Sequence, residues 1–149
     1  MTALPPSQCW MYVREQNSAL VKRKRGDRNK AVQFTSEKGN VTNLNTFKYS
    51  GLANDRTIAV DIGADGKVTM GLKTPKQLTK PAKLINTTPC HKNFRRVAKQ
   101  ITTQTSGKDY RADLTSMALA RWSALHRLTK VQAGLKKKAK SKCGRKSKA

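Results

Sequence analysis

Cys90 and His91 are adjacent, and both residue types ligate transition metals, so zinc is the first chemistry to test. A structural zinc site is four-coordinate. The other cysteines, Cys9 and Cys143, are single, far away in sequence and form no CxxC. The pair therefore reads as a loop with an incidental thiol, and no metal site is expected. Asp61-Ile62-Gly63-Ala64-Asp65-Gly66 has the outline of a calcium loop. Its third position, Gly63, brings no side-chain oxygen, and its twelfth is Leu72 instead of Glu, so a hairpin turn is the better account. His126 carries a titratable ring, but no carboxylate is placed to orient it as a general base. There is no GxxxxGK[ST], no GxGxxG and no nucleophile with a partner base. The chain reads as a non-enzyme with no catalytic residue, no cofactor and no small-molecule substrate.

What remains is the chemistry of phosphate. Thirty-two Lys and Arg face eight Asp and Glu, a formal net charge of +24. The acids are too few to pair these cations, which repel one another in a compact chain. A polyanion relieves that repulsion and releases counterions when it binds, and nucleic acid is the commonest. The cations cluster as Lys22-Arg23-Lys24-Arg25 with Arg28 and Lys30, as Arg95-Arg96 with Lys99, as Arg121, Arg127 and Lys130, and as a tail that includes Lys136, Lys137 and Lys138. A single run of this kind would be a solvated face or a nuclear import signal; four with so few acids are harder to dismiss and point to a nucleic acid. Aromatics make up 5% of the chain, and Trp10 and Trp122 are assigned to the core. A stacking groove for single strands needs exposed rings, so recognition of folded RNA by charge and shape is expected instead.

The elements that must position these cations follow from periodicity. A folded domain is expected over 1–133, its first element near residue 5, with a basic tail over 134–149 that orders only on RNA. The tail has one large apolar residue, Leu135, and no acid follows Asp113. Pro5-Pro6-Ser7 opens a short helix through Val13, Asn17-Ser18 is a turn, and Ala19 to Arg23 is a strand running into a basic loop, Lys24 to Lys30. Ile58, Val60 and Ile62 alternate, as do Val68, Met70 and Leu72, with an Asp-Gly turn between them. Phe47-Lys48-Tyr49 is a further strand candidate, and Thr74 to Pro89, with its three prolines, reads as a connecting loop. Phe94, Val97, Ala98 and Ile101 form a helical stripe. A second helix spans about Asp113 to Lys130, with Leu114, Ala118, Trp122, Leu125 and Leu128 on its apolar face. The fold class is α+β: a small antiparallel sheet with helices packed on one side. There is no apolar run of about eighteen residues to cross a membrane and no secretory signal. The odd cysteine count fits a reducing cytosol or nucleus. The sequons at Asn40 and Asn86 read as chance matches.

Four segments together resemble one family. They are Trp10-Met11-Tyr12-Val13-Arg14 with Leu20-Val21-Lys22-Arg23; Asn43-Leu44-Asn45-Thr46-Phe47-Lys48-Tyr49-Ser50-Gly51-Leu52-Ala53-Asn54; Lys80-Pro81-Ala82-Lys83; and Tyr110-Arg111-Ala112-Asp113-Leu114 with Ala118-Leu119-Ala120-Arg121-Trp122-Ser123-Ala124-Leu125. They span residues 10–130 and resemble the eukaryotic large-subunit ribosomal protein family "L twenty-eight e". Ala112 stands where that family usually has proline, and the tail matches only in character. The resemblance implies a structural constituent of the cytosolic large ribosomal subunit, assembled in the nucleolus. It would be bound to large-subunit ribosomal RNA and neighbouring large-subunit proteins, with no membrane partner. Docking is then expected to use Lys48, Arg56 and Arg111 besides the clusters above. The alternatives are a nucleolar assembly factor with a related domain and a basic chromatin protein. The assembly factors carry extra cysteines and a long acidic extension, which this chain lacks.

Overall fold

The computed structural model describes residues 4–22, 32–77, 80–90, 92–135 and 137. The basic loop from Lys24 to Lys30 and the tail from residue 138 lie outside them. Helix α1 (Pro6–Val13) starts where Pro5 and Pro6 pre-set the backbone. After the turn closed by the Leu20 N–H on Asn17 O, strand β1 (Leu20–Lys22) pairs antiparallel with β2 (Gln33–Thr35). Strands β3 (Ile58–Ile62), β4 (Val68–Lys73) and β5 (Ile85–Pro89) form the main antiparallel sheet, with β4 in the middle. Helices α2 (Phe94–Thr105) and α3 (Thr115–Gln132) complete an α+β fold. Helix α3 packs on β3 and β4, and α2 packs on α3.

The alternating residues set the core. Ile58 and Val60 of β3 and Val68 and Met70 of β4 pack with Val97 and Ile101 of α2 and with Leu114, Ala118 and Trp122. Each is at most 2% exposed, and burying such a side chain contributes about 1.5–3 kcal/mol. The β3–β4 hairpin closes as its Asp-Gly required. Gly66 adopts φ +68° and donates to Gly63 O, while the Gly63 N–H donates to Lys67 O.

Several expectations are corrected. Phe47-Lys48-Tyr49 is a turn, its chain reversed by the Tyr49 and Ser50 N–H groups, which both donate to Thr46 O. The third strand of the sheet comes instead from the stretch read as loop. Pro75 and Pro81 each open a single 3-10 turn (Pro75–Gln77 and Pro81–Lys83), and Pro89 ends an edge strand, where no ladder donor is missed. Trp10 is half-buried outside the main cluster, its ring 6.1 Å from that of Phe47. Phe94 and Leu128, placed on apolar stripes, are 57% and 45% exposed, Phe94 at the first position of α2 and Leu128 in the last turns of α3. Asp113 belongs to a 3-10 turn (Ala112–Leu114) just before α3. The sequon residue Asn40 is buried, its amide donating to Glu37 and to Leu44 O.

Candidate nucleic-acid interface

The cations divide by what their donors already hold. Lys73 ends β4 and is buried; its Nζ donates to Gly51 O at 3.1 Å and Asn54 O at 2.7 Å. Burial pushes its pKa down from 10.5, opposed by the nearby charges of Asp55 and Glu37. The loop it grips is closed by side chains. Ser50 Oγ donates to Glu37, Asn54 Nδ2 donates to Phe47 O and Ser50 O, and a Cβ at Gly51 would clash with Lys38 O. The half-buried Tyr110 hydroxyl accepts from the Thr57 N–H and donates to Lys73 O, and burial raises its pKa.

Arg111 is similarly committed. Its Nε and Nη2 hold the Asp113 carboxylate at 2.9 and 3.0 Å, while Nη1 donates to Arg56 O and Nη2 to Lys48 O. The guanidinium beside Asp113 holds that carboxyl below its ordinary 3.8, against a smaller desolvation effect. Arg121 donates to Val60 O at 3.3 Å and faces Asp61 at 3.4 Å. These arginines tie α3 and its leading turn to the sheet and loops.

Other cations face solvent. Lys22 on β1, Lys48 and Arg56 in the loops, Arg95, Arg96 and Lys99 on α2, Arg127 on α3 and Lys137 are exposed, and Lys130 is half-buried. Lys48 and Arg56 lie beside Arg111: Lys48 Nζ is 3.9 Å from Asp113, and Arg56 donates to Asp109 O. Arg127, Lys130 and Lys137 meet Lys92 around a cleft of about 720 Å³ between the start of α2 and the end of α3. Lys22 joins neither group, lining instead a hollow with Val21 and Phe34. Arg23, Lys24, Arg25, Arg28, Lys30, Lys136 and Lys138 lie outside the described residues. Sequence reasoning missed Lys92, which stands three residues before the Arg95-Arg96 cluster and was not counted with it, and Lys73, whose inward position only the fold reveals.

Among the described residues, neither Cys9 nor Cys90 offers an open ligand. Cys90 is buried, its Sγ donating to Thr88 O, and desolvation raises its pKa. Cys9 Sγ donates to Leu4 O. His91 lies outside the described residues, among which no group of three or more His, Cys, Asp and Glu could hold a metal ion. No helix among them is long and apolar enough to cross a membrane.

Comparison with known proteins gives this arrangement a context. The chain is 34% identical over 118 residues to the "Large ribosomal subunit protein eL28" of Schizosaccharomyces pombe, covering 78% of this chain and 86% of that protein. It is 34% identical over 134 residues to the protein of that name from Dictyostelium discoideum, covering 89% and 92%. With the one from Caenorhabditis elegans it shares 36% over 94 residues, covering 60% and 69%. A family model described as the Ribosomal L28e protein family matches residues 8–128, from α1 to the last turns of α3. Since that match covers most of the chain, including all five strands and α2 among the described residues and most of α1 and α3, the chain belongs to the Ribosomal L28e protein family.

Proposed function

We propose that the chain is a structural constituent of the large ribosomal subunit, held there by contacts between its outward cations and ribosomal RNA. The observation that carries the ribosomal role is the family match over residues 8–128, with relatives named as large-subunit proteins. Charge supports the RNA part: +24 overall, with Lys48, Arg56, Arg95, Arg96, Lys99 and Arg127 exposed and few acids to pair them. Phosphate contacts of this kind position a protein on folded RNA without reading its sequence. In this reading Arg111 and Arg121 shape the surface that Lys48 and Arg56 present. The family is structural and not catalytic, which fits a chain whose chemistry is charge placement. The domain over 1–133 makes the main contacts, the tail over 134–149 adds further phosphate contacts, and neighbouring large-subunit proteins complete the site. The working location is the cytoplasmic ribosome, reached through nucleolar assembly.

Sedimentation of lysate containing the tagged chain through a sucrose gradient, after a high-salt wash, tests this reading. Recovery with large subunits and polysomes is expected. Recovery only with nucleolar precursors or with chromatin would replace it by an assembly-factor or chromatin role.

A further inference from the structure

The cleft between α2 and α3 combines a cationic rim with an exposed aromatic face. Phe94 is 57% exposed although it stands in an apolar stripe. Its ring is 5.8 Å from that of Trp122 at 41°, and Trp122 stacks on His126 at 4.7 Å and 15°. Trp122 is itself fixed: it is 1% exposed, and its Nε1 donates to Cys90 O at 2.8 Å. Phe94 is therefore a face presented on a rigid backing, so little ordering entropy is lost when something stacks on it. Among the described residues, the charged lining is Lys92, Arg127, Lys130 and Lys137, with no acid. The Asn93 side chain also lines the cleft and does not cap α2, leaving its amide available to a polar edge. About 720 Å³ lies within the ~300–1,000 Å³ that encloses a drug-sized molecule, enough for a base and its sugar. Tyr12 is more exposed, at 73%, but shares its hollow with Gln8 and Met11 and no cation.

We propose that this cleft takes a single nucleobase unstacked from folded RNA, lying on Phe94, with the flanking phosphates on Lys92, Arg127 and Lys130. The proposal rests on the RNA-binding reading above and adds a base-sized site to what was otherwise backbone recognition. A bulged base suits it because such a base has already left its helical stack.

Affinity of the full chain for two RNA hairpins, fully paired and identical except for one bulged nucleotide, tests the proposal across a salt series. Stacking on an aromatic ring predicts that the wild type prefers the bulged hairpin about tenfold. Phe94→Leu should remove that preference while keeping the affinity for the paired hairpin, and Phe94→Trp should retain it. Arg127→Ala should weaken both hairpins alike and reduce the salt slope by about 0.7–0.9. Equal wild-type affinity for the two hairpins, or a preference that survives Phe94→Leu, overturns the base site and leaves backbone binding standing. Failure to bind either hairpin at low salt overturns both readings. Circular dichroism checks folding. Should Phe94→Leu not fold, Phe94→Trp decides, a retained preference supporting the site and a lost one overturning it.

Discussion

Two regions carry the same residue types to opposite ends. Around Lys73 and Arg111, cations turn inward and their donors are taken up by the carbonyls of Gly51, Asn54, Arg56 and Lys48 and by Asp113. Around the α2–α3 cleft, Lys92 and Arg127 are exposed. A count of +24 treats all these charges alike. The fold separates cations whose donors close the loops from cations left facing solvent. Charge content therefore suggests nucleic acid, while charge commitment says which residues are available to it.

The sharpest break of this comparison is at Lys73. Lys73→Met keeps the aliphatic stem but leaves two carbonyls without their donor and removes the charge that Asp55 and Glu37 favour. A loss of about 2–4 kcal/mol is expected, read from the urea midpoint. The sign of its pH dependence is also fixed. Because the folded pKa lies below 10.5, the unfolded chain holds the proton more firmly between the two values, so wild-type stability rises with pH through that window. Lys73→Met should lack this rise; an equal rise in the variant would show that Lys73 is not the buried cation described.

Next in size is Arg111→Gln. It removes the bidentate hold on Asp113 and the donors to Arg56 O and Lys48 O, with an expected loss of about 1–3 kcal/mol. The salt slope of RNA binding should stay nearly unchanged. A slope reduced by a full phosphate contact would move Arg111 into the outward group.

A smaller effect belongs to Asp113. Its folded pKa lies below the ordinary 3.8, so its contribution is present above 3.8 and lost as pH falls through the lower, folded value. With a side chain 42% exposed, solvent screening keeps this well under about 1 kcal/mol. Acid titration of Asp113→Asn against wild type should show a shallower fall below pH 3.8 in the variant. Parallel curves would assign the acid response to other carboxylates.

What could be read from the residues divides along the same line. Ile58, Val60, Val68 and Met70 alternate, and Val97 and Ile101 keep helical spacing, so the apolar core and its elements were legible. Residues 43–54 matched the family pattern, yet their conformation rests on side-chain bonds from Ser50, Asn54 and Lys73 that have no period. That is why Phe47 to Tyr49 passed for a strand. Strand β5 was hidden by flanking prolines and by Asn86, Thr87 and Thr88, poor hydrophobic markers that an edge strand tolerates. The cationic clusters were legible as composition. The joining of Lys92 to Arg127 and Lys130, and the outward turn of Phe94, depend on how α2 meets α3.

The central claim is that the outward cations meet RNA in the assembled subunit while the inward ones serve the fold. Lysine acetylation read by mass spectrometry, on the free chain and on salt-washed large subunits carrying it, tests this most directly. Lys92, Lys99 and Lys130 should react in the free chain and be protected in the subunit, with Lys73 unreactive in both. Equal labelling of Lys92, Lys99 and Lys130 in the two states would contradict the account.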